Sequence, residues 1–151
     1  MRRIVGINRL ADAVAECERL LSTGYTKQGK WSLGQICQHI RLTIECNMTG
    51  YPTWMTVLAF PLRPILRRFG LPKLLAGRAP KGIPTAPMFV PPGSVDDAQE
   101  VEAFARCVEK FMSWEGALLP HPGFGSMSHE EFEKFHAGHM AHHLDFLEIK
   151  G

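Results

Sequence analysis

No stretch of the 151-residue chain is apolar for long enough to cross a bilayer, and none of its cysteines pairs in a CxxC motif. Cys17, Cys37, Cys46 and Cys107 lie far apart, so free thiols in a reducing cytoplasm are expected rather than a disulfide framework. The basic opening, with Arg2 and Arg3, lacks the apolar run of a signal peptide, because Asn8, Arg9 and Asp12 interrupt it at once. Acidic residues are missing altogether between Glu45 and Asp96, an interval that holds Arg63, Arg67, Arg68, Lys73, Arg78 and Lys81. The net charge of +2 is too small to imply a nucleic-acid partner. The uneven distribution nevertheless leaves the basic stretch as a solvated face, a rim for an anionic ligand, or a weak membrane or nucleic-acid surface.

What is present fits one domain. A chain of this length buries roughly 70% of its unfolded surface, and the apolar content of 45% is that of a soluble globular protein. Four segments have helical periodicity. The first runs from about residue 7 to 21 on Leu10, Ala13, Val14, Cys17 and Leu20. The second follows Ser32, with Gln35 completing a capping box, and reaches Thr49 before Gly50 and Pro52. The third is expected after Ser94, with Asp97 three residues on, and extends to about Leu119. The fourth follows Ser128, with Glu131 in the same place, and runs to about Ile149. No alternating pattern reads as a strand. Nine of the eleven prolines fall in residues 51–93, so only short helical pieces, around 53–60 and 63–76, are expected there. The predicted fold is an all-α four-helix bundle with a long proline-rich crossover between its second and third helices.

Seven histidines are many for this length, and His136, His139, His142 and His143 fall within eight positions. At about 100° per residue, His139 and His143 sit one turn apart at the centre of an apolar stripe with Phe132, Phe135 and Phe146. Glu130, Glu133, Lys134, Asp145 and Glu148 take the opposite arc. Inward imidazoles at i,i+4 form a recurrent metal-ligand pair. On the second helix, His39 shares its face with Ile36, Leu42, Thr43 and Cys46. Three histidines from two packed helices would leave coordination positions open, the pattern of a reactive centre. The competing reading is a set of hydrogen-bonded packing histidines, and His136 with His139 is a rival pair. His136 and His142 flank the triad as ligand-orienting or rim groups. His121, in the turn before the fourth helix, could line the mouth, with a plain turn histidine as the simpler reading. Cys46 and Trp31 read as packing residues, with Trp31 as a hydrophobic staple.

The segment Trp31-Ser32-Leu33-Gly34-Gln35-Ile36-Cys37-Gln38-His39, with the terminal His139-Met140-Ala141-His142-His143, resembles the DinB-like superfamily of metal-dependent enzymes. The turn His121-Pro122-Gly123-Phe124-Gly125 followed by His-x-x-His-His-Leu-x-Phe-Leu is similar to one branch of it. The resemblance implies a four-helix bundle, often a homodimer, whose divalent metal is held by His39, His139 and His143. Nickel and zinc come first, with iron, manganese and cobalt behind them. It further implies a small-molecule substrate and a transferase or isomerase reaction using a low-molecular-weight thiol. On charge alone, Arg63, Arg67, Arg68 or Arg78 would hold the carboxylates of such a thiol, and His142, His136 or His121 would serve as acid or base. A metal-dependent hydrolase, a non-catalytic metal or small-molecule binding module, and a peripheral membrane or interaction protein are the alternatives. Nucleic acid is not expected as a partner, and membrane contact ranks last.

Overall fold

The computed structural model describes residues 7–76 and 86–151. Arg78 and Lys81 therefore lie outside the described residues. The protein is mostly helical, with one small two-stranded sheet. Four long helices, α1 (Leu10–Thr23), α2 (Leu33–Thr49), α6 (Asp97–Met112) and α7 (His129–Leu144), surround one core. Leu10, Leu20, Ile40, Ile44, Phe104, Phe111, Phe132 and Met140 are among its fully buried side chains. Each such side chain contributes about 1.5–3 kcal/mol by leaving water.

Two helix starts follow the sequence signal closely. The Ser32 hydroxyl accepts from the Gln35 N–H at 3.2 Å, and the Gln35 side-chain oxygen accepts from the Ser32 N–H at 2.8 Å. Ser128 and Glu131 make the same reciprocal pair at the start of α7. The third start differs. Asp96 rather than Ser94 caps α6, accepting from the Gln99 N–H at 2.8 Å. The Asp97 carboxylate is engaged elsewhere: it accepts from the Tyr25 hydroxyl at 2.6 Å and from the Gly34 N–H at 2.8 Å. That ties the head of α6 to the head of α2.

Both later helices also end sooner than the periodicity suggests. Helix α6 stops at Met112, because Asn47 on α2 captures the following chain: its amide donates to the Leu119 carbonyl, and its own carbonyl accepts from the Leu119 N–H, both at 2.8 Å. Helix α7 stops at Leu144, and β2 (Leu147–Ile149) pairs antiparallel with β1 (Tyr25–Lys27). Three-residue strands are too short to show alternation, so this ribbon leaves no periodic trace. The first helix begins at Leu10, and Arg9 gives it no side-chain cap. Glu133, expected on the solvated arc of α7, is buried and accepts from the Leu10 N–H at 3.1 Å. A carboxylate there satisfies an orphaned donor and complements the positive end of the helix dipole.

The crossover forms the expected short pieces: α3 (Thr53–Ala59), α4 (Arg63–Ile65) and α5 (Leu71–Leu75), joined by a 3₁₀ turn at Phe60–Leu62 and a π turn at Leu66–Gly70. Pro61, Pro64 and Pro72 sit in the first positions of successive pieces, where a missing N–H costs nothing. The crossover packs back on α7 at Gly138. A Cβ there would meet the Leu74 carbonyl oxygen at 2.8 Å, so only glycine admits this approach. No helix is long and apolar enough to cross a membrane among the described residues.

Candidate metal centre

Helices α2 and α7 bring His39, His139 and His143 together. Among the described residues these three form the one group whose ligand atoms could hold a metal ion, all lying within 4.8 Å of one another. The Nε2 atom of His139 is 3.3 Å from Nε2 of His39 and 3.2 Å from Nε2 of His143. His39 is buried and the other two are half-buried. The i,i+4 spacing on α7 stacks two rings on one face, and α2 packs against that face to supply the third.

The protonation of the group follows from burial. Desolvation pushes the His39 imidazole down from its usual value, opposed by its hydrogen bond to a carbonyl. Burial holds His139 well below the usual range, and the charges His143 and His39 would carry lower it further. His143 is pushed down to about 3, by burial first and then by His39 and His142. All three are therefore neutral at pH 7, the state a metal ligand needs.

Neutrality creates a problem that the geometry exposes. His39 donates its Nδ1–H to the Phe89 carbonyl at 2.9 Å, which leaves a lone pair on Nε2. An N–H on His139 Nε2 could donate to His39 or to His143, but not to both. Three converging nitrogens are better satisfied by one cation. Tetrahedral ligands about 2.0–2.1 Å from an ion stand about 3.3–3.4 Å apart, close to the two short contacts here. The residues present thus fit a divalent ion.

Aromatic walls surround the triad. The Trp31 indole stacks on His143 at 5.3 Å between centroids and lies 4.9 Å from the His39 ring. Phe89 meets His39 edge-on at 6.5 Å, and Phe135 lies 6.4 Å from His139. Trp31 is therefore more than a staple: it presses on two of the three candidate ligands. Its position just ahead of the Ser32 cap was a sequence signal for that placement. The Phe89 carbonyl that orients His39 had none, because a backbone acceptor leaves no trace in residue type.

The remaining predicted site residues are placed differently. His136 lies in the core and not at the rim: it is fully buried, donates from Nε2 to the Asn47 side-chain oxygen at 3.0 Å, and packs among Phe111, Phe132 and Phe135. Burial, then His121, pushes it down to about 3. His121 is committed to its own turn, where Nδ1 accepts from the Gly123 N–H at 3.0 Å and the Phe124 N–H at 3.2 Å. Burial and Arg63 push it down to about 4. His142 is the one that borders the triad, half-buried with its ring 5.3 Å from that of His143. Cys46 takes no part in the group.

Arg63 donates to the Pro122 carbonyl at 2.8 Å, and Arg67 donates to the Phe124 and Ser126 carbonyls. These bonds hold the turn around His121. The Arg68 guanidinium lies 5.6 Å over the Phe69 ring.

No curated protein and no solved structure matches the chain. The sequence profile of one family, described as protein of unknown function (DUF1569), matches residues 1–150. With essentially its whole length covered, the chain belongs to the DUF1569 family.

Proposed function

We propose that this chain is a metal-dependent enzyme of the DinB-like kind, in which α1, α2, α6 and α7 form a four-helix bundle and His39, His139 and His143 hold one divalent ion. The observation that carries this reading is the convergence of three neutral Nε2 atoms, two of the contacts at 3.2 and 3.3 Å, with no proton arrangement that satisfies all three. An all-imidazole donor set favours zinc or nickel, with cobalt, iron and manganese behind them. When bound, such an ion supplies Lewis acidity toward a carbonyl or thiol of a small substrate.

The chain's own residues prepare the site. The Phe89 carbonyl fixes the His39 tautomer, and the Trp31, Phe89 and Phe135 rings restrict water around the imidazoles. His142, with its ring 5.3 Å from that of His143, would move a proton at the edge of the site, whereas His121 and His136 each commit a nitrogen to the fold. A low-molecular-weight thiol as co-substrate is the class the DinB-like resemblance favours.

The test is elemental analysis of untagged protein prepared without chelator, beside the His139→Ala/His143→Ala variant. The expected result is about one divalent ion per chain in the first and none in the second. Equal metal content in both, or none in either after zinc and nickel are offered, would make the triad a packing feature. Metal-loaded and chelator-stripped protein are then compared for transfer to small thiols, with hydrolytic substrates as the rival class.

A further inference from the structure

The crossover presents a feature that the metal centre does not use. Trp54, Val57, Leu58, Leu62, Ile65 and Phe69 recur at three- and four-residue steps, and every one is between 51% and 68% exposed. Folding leaves this helical stripe in water, although soluble monomers rarely expose so many large apolar side chains in one run. The same pieces carry Arg63, Arg67, Arg68 and Lys73, and no acidic residue occurs from 46 to 95. The hydrogen bonds from Arg63 and Arg67 go to backbone carbonyls, which leave the guanidinium charges in place. Glu131 is the nearby acid; its hydrogen bonds to Ser128 hold its carboxyl below the usual value, and Arg67 adds to that.

We infer that this stripe lies on an anionic lipid surface, with its apolar side chains in the headgroup boundary and its cations among the phosphates. The charge decides between occupants. A second copy meeting this face symmetrically would bring two basic surfaces together, an arrangement that like-charge repulsion opposes. An anionic bilayer complements both the apolar stripe and the cations, and each Lys or Arg near such a surface adds about 1 kcal/mol. The short pieces lie along the protein surface, and none is long enough to span a membrane. Trp54 and Phe69 are the residue types that settle at that depth.

The experiment is co-sedimentation of the full chain with vesicles of phosphatidylcholine alone and of phosphatidylcholine mixed with phosphatidylserine, at low and high salt. Binding is expected to the mixed vesicles, weakening with salt. Arg68→Ala and Lys73→Ala should each lower partitioning about fivefold. Leu58→Glu and Ile65→Glu should abolish it while circular dichroism stays unchanged, since both side chains are 60% or more exposed. No sedimentation with either vesicle, or equal sedimentation with both, would overturn the proposal. So would a concentration-dependent dimer in velocity sedimentation that Leu58→Glu dissolves, because that assigns the stripe to a second copy.

Discussion

The α2–α7 interface and the crossover solve opposite problems with the same helical periodicity. Along α7, residues at i,i+4 place His139 and His143 inward beside Phe135, where their Nε2 atoms converge with that of His39, itself held by the Phe89 carbonyl. Along the crossover, the same spacing places Trp54, Leu58, Ile65 and Phe69 outward, each still more than half exposed. A helical stripe therefore says that a face will be covered, but not by what. On α7 the cover is α1, α2 and the crossover itself; on the crossover the described residues leave the stripe more than half exposed.

The largest expected break in this comparison is energetic. Phe111 is fully buried and stacks on His129, with His136 edge-on to it. Phe111→Ala should cost about 3–5 kcal/mol of stability, whereas Leu58→Ala should stay within about 0.5 kcal/mol. Urea denaturation of the two variants beside wild type measures both. A comparable loss in the two would mean that the stripe is covered in solution.

Next comes the metal. His139 is the shared member of both short nitrogen contacts, so His139→Ala should weaken zinc or nickel binding by at least about 100-fold in competition with a chromophoric chelator. The loss should appear with the fold intact by circular dichroism. Unchanged affinity would remove His139 from the ligand set and revive a packing role for the cluster.

Acid should then separate the buried histidines from the exposed stripe. His121, held down to about 4, and His136, held down to about 3, start from an ordinary value of 6.5. The unfolded chain takes up their protons below pH 6.5, while the folded chain does not until far lower. Stability is thus complete above pH 6.5 and falls as the pH drops toward 4, by up to about 1.4 kcal/mol per unit for each histidine. In metal-free protein, His121→Asn keeps an acceptor for the Gly123 and Phe124 N–H groups and should flatten the slope by about one proton. A slope unaffected by that substitution would mean that His121 titrates normally.

How much of this was legible in the sequence depends on how local each signal is. The starts of α2 and α7 were, because Ser32 with Gln35 and Ser128 with Glu131 each complete a box within four residues. The three candidate ligands were as well, since each lies on the inward stripe of its own helix. What failed depended on distant partners. Asp97 abandons Ser94 for Tyr25 and Gly34, Asn47 captures Leu119 and shortens α6, and Glu133 turns inward to cap α1. No window along one helix contains those competitors. Gly138 is an intermediate case: a glycine in mid-helix beside His139 was visible, but its reason, the Leu74 carbonyl, sits more than sixty residues away.

The smallest effect expected is at Trp31, where the metal reading meets the packing reading. The indole touches His39 and His143 without offering a ligand atom, so it acts by holding two rings at converging angles. Trp31→Ala should lower metal affinity about tenfold, in the range for groups that orient ligands, and Trp31→Phe should recover most of it by restoring a stacking face. Intrinsic fluorescence supplies a second readout, because a paramagnetic ion such as cobalt or nickel bound beside the indole should quench Trp31 emission in wild type. Affinity that falls only in step with thermal stability, and is restored equally by Trp31→Leu, would reduce Trp31 to core packing. Selective rescue by phenylalanine would show that the aromatic face itself positions His39 and His143, extending the site from three side chains to the wall that aims them.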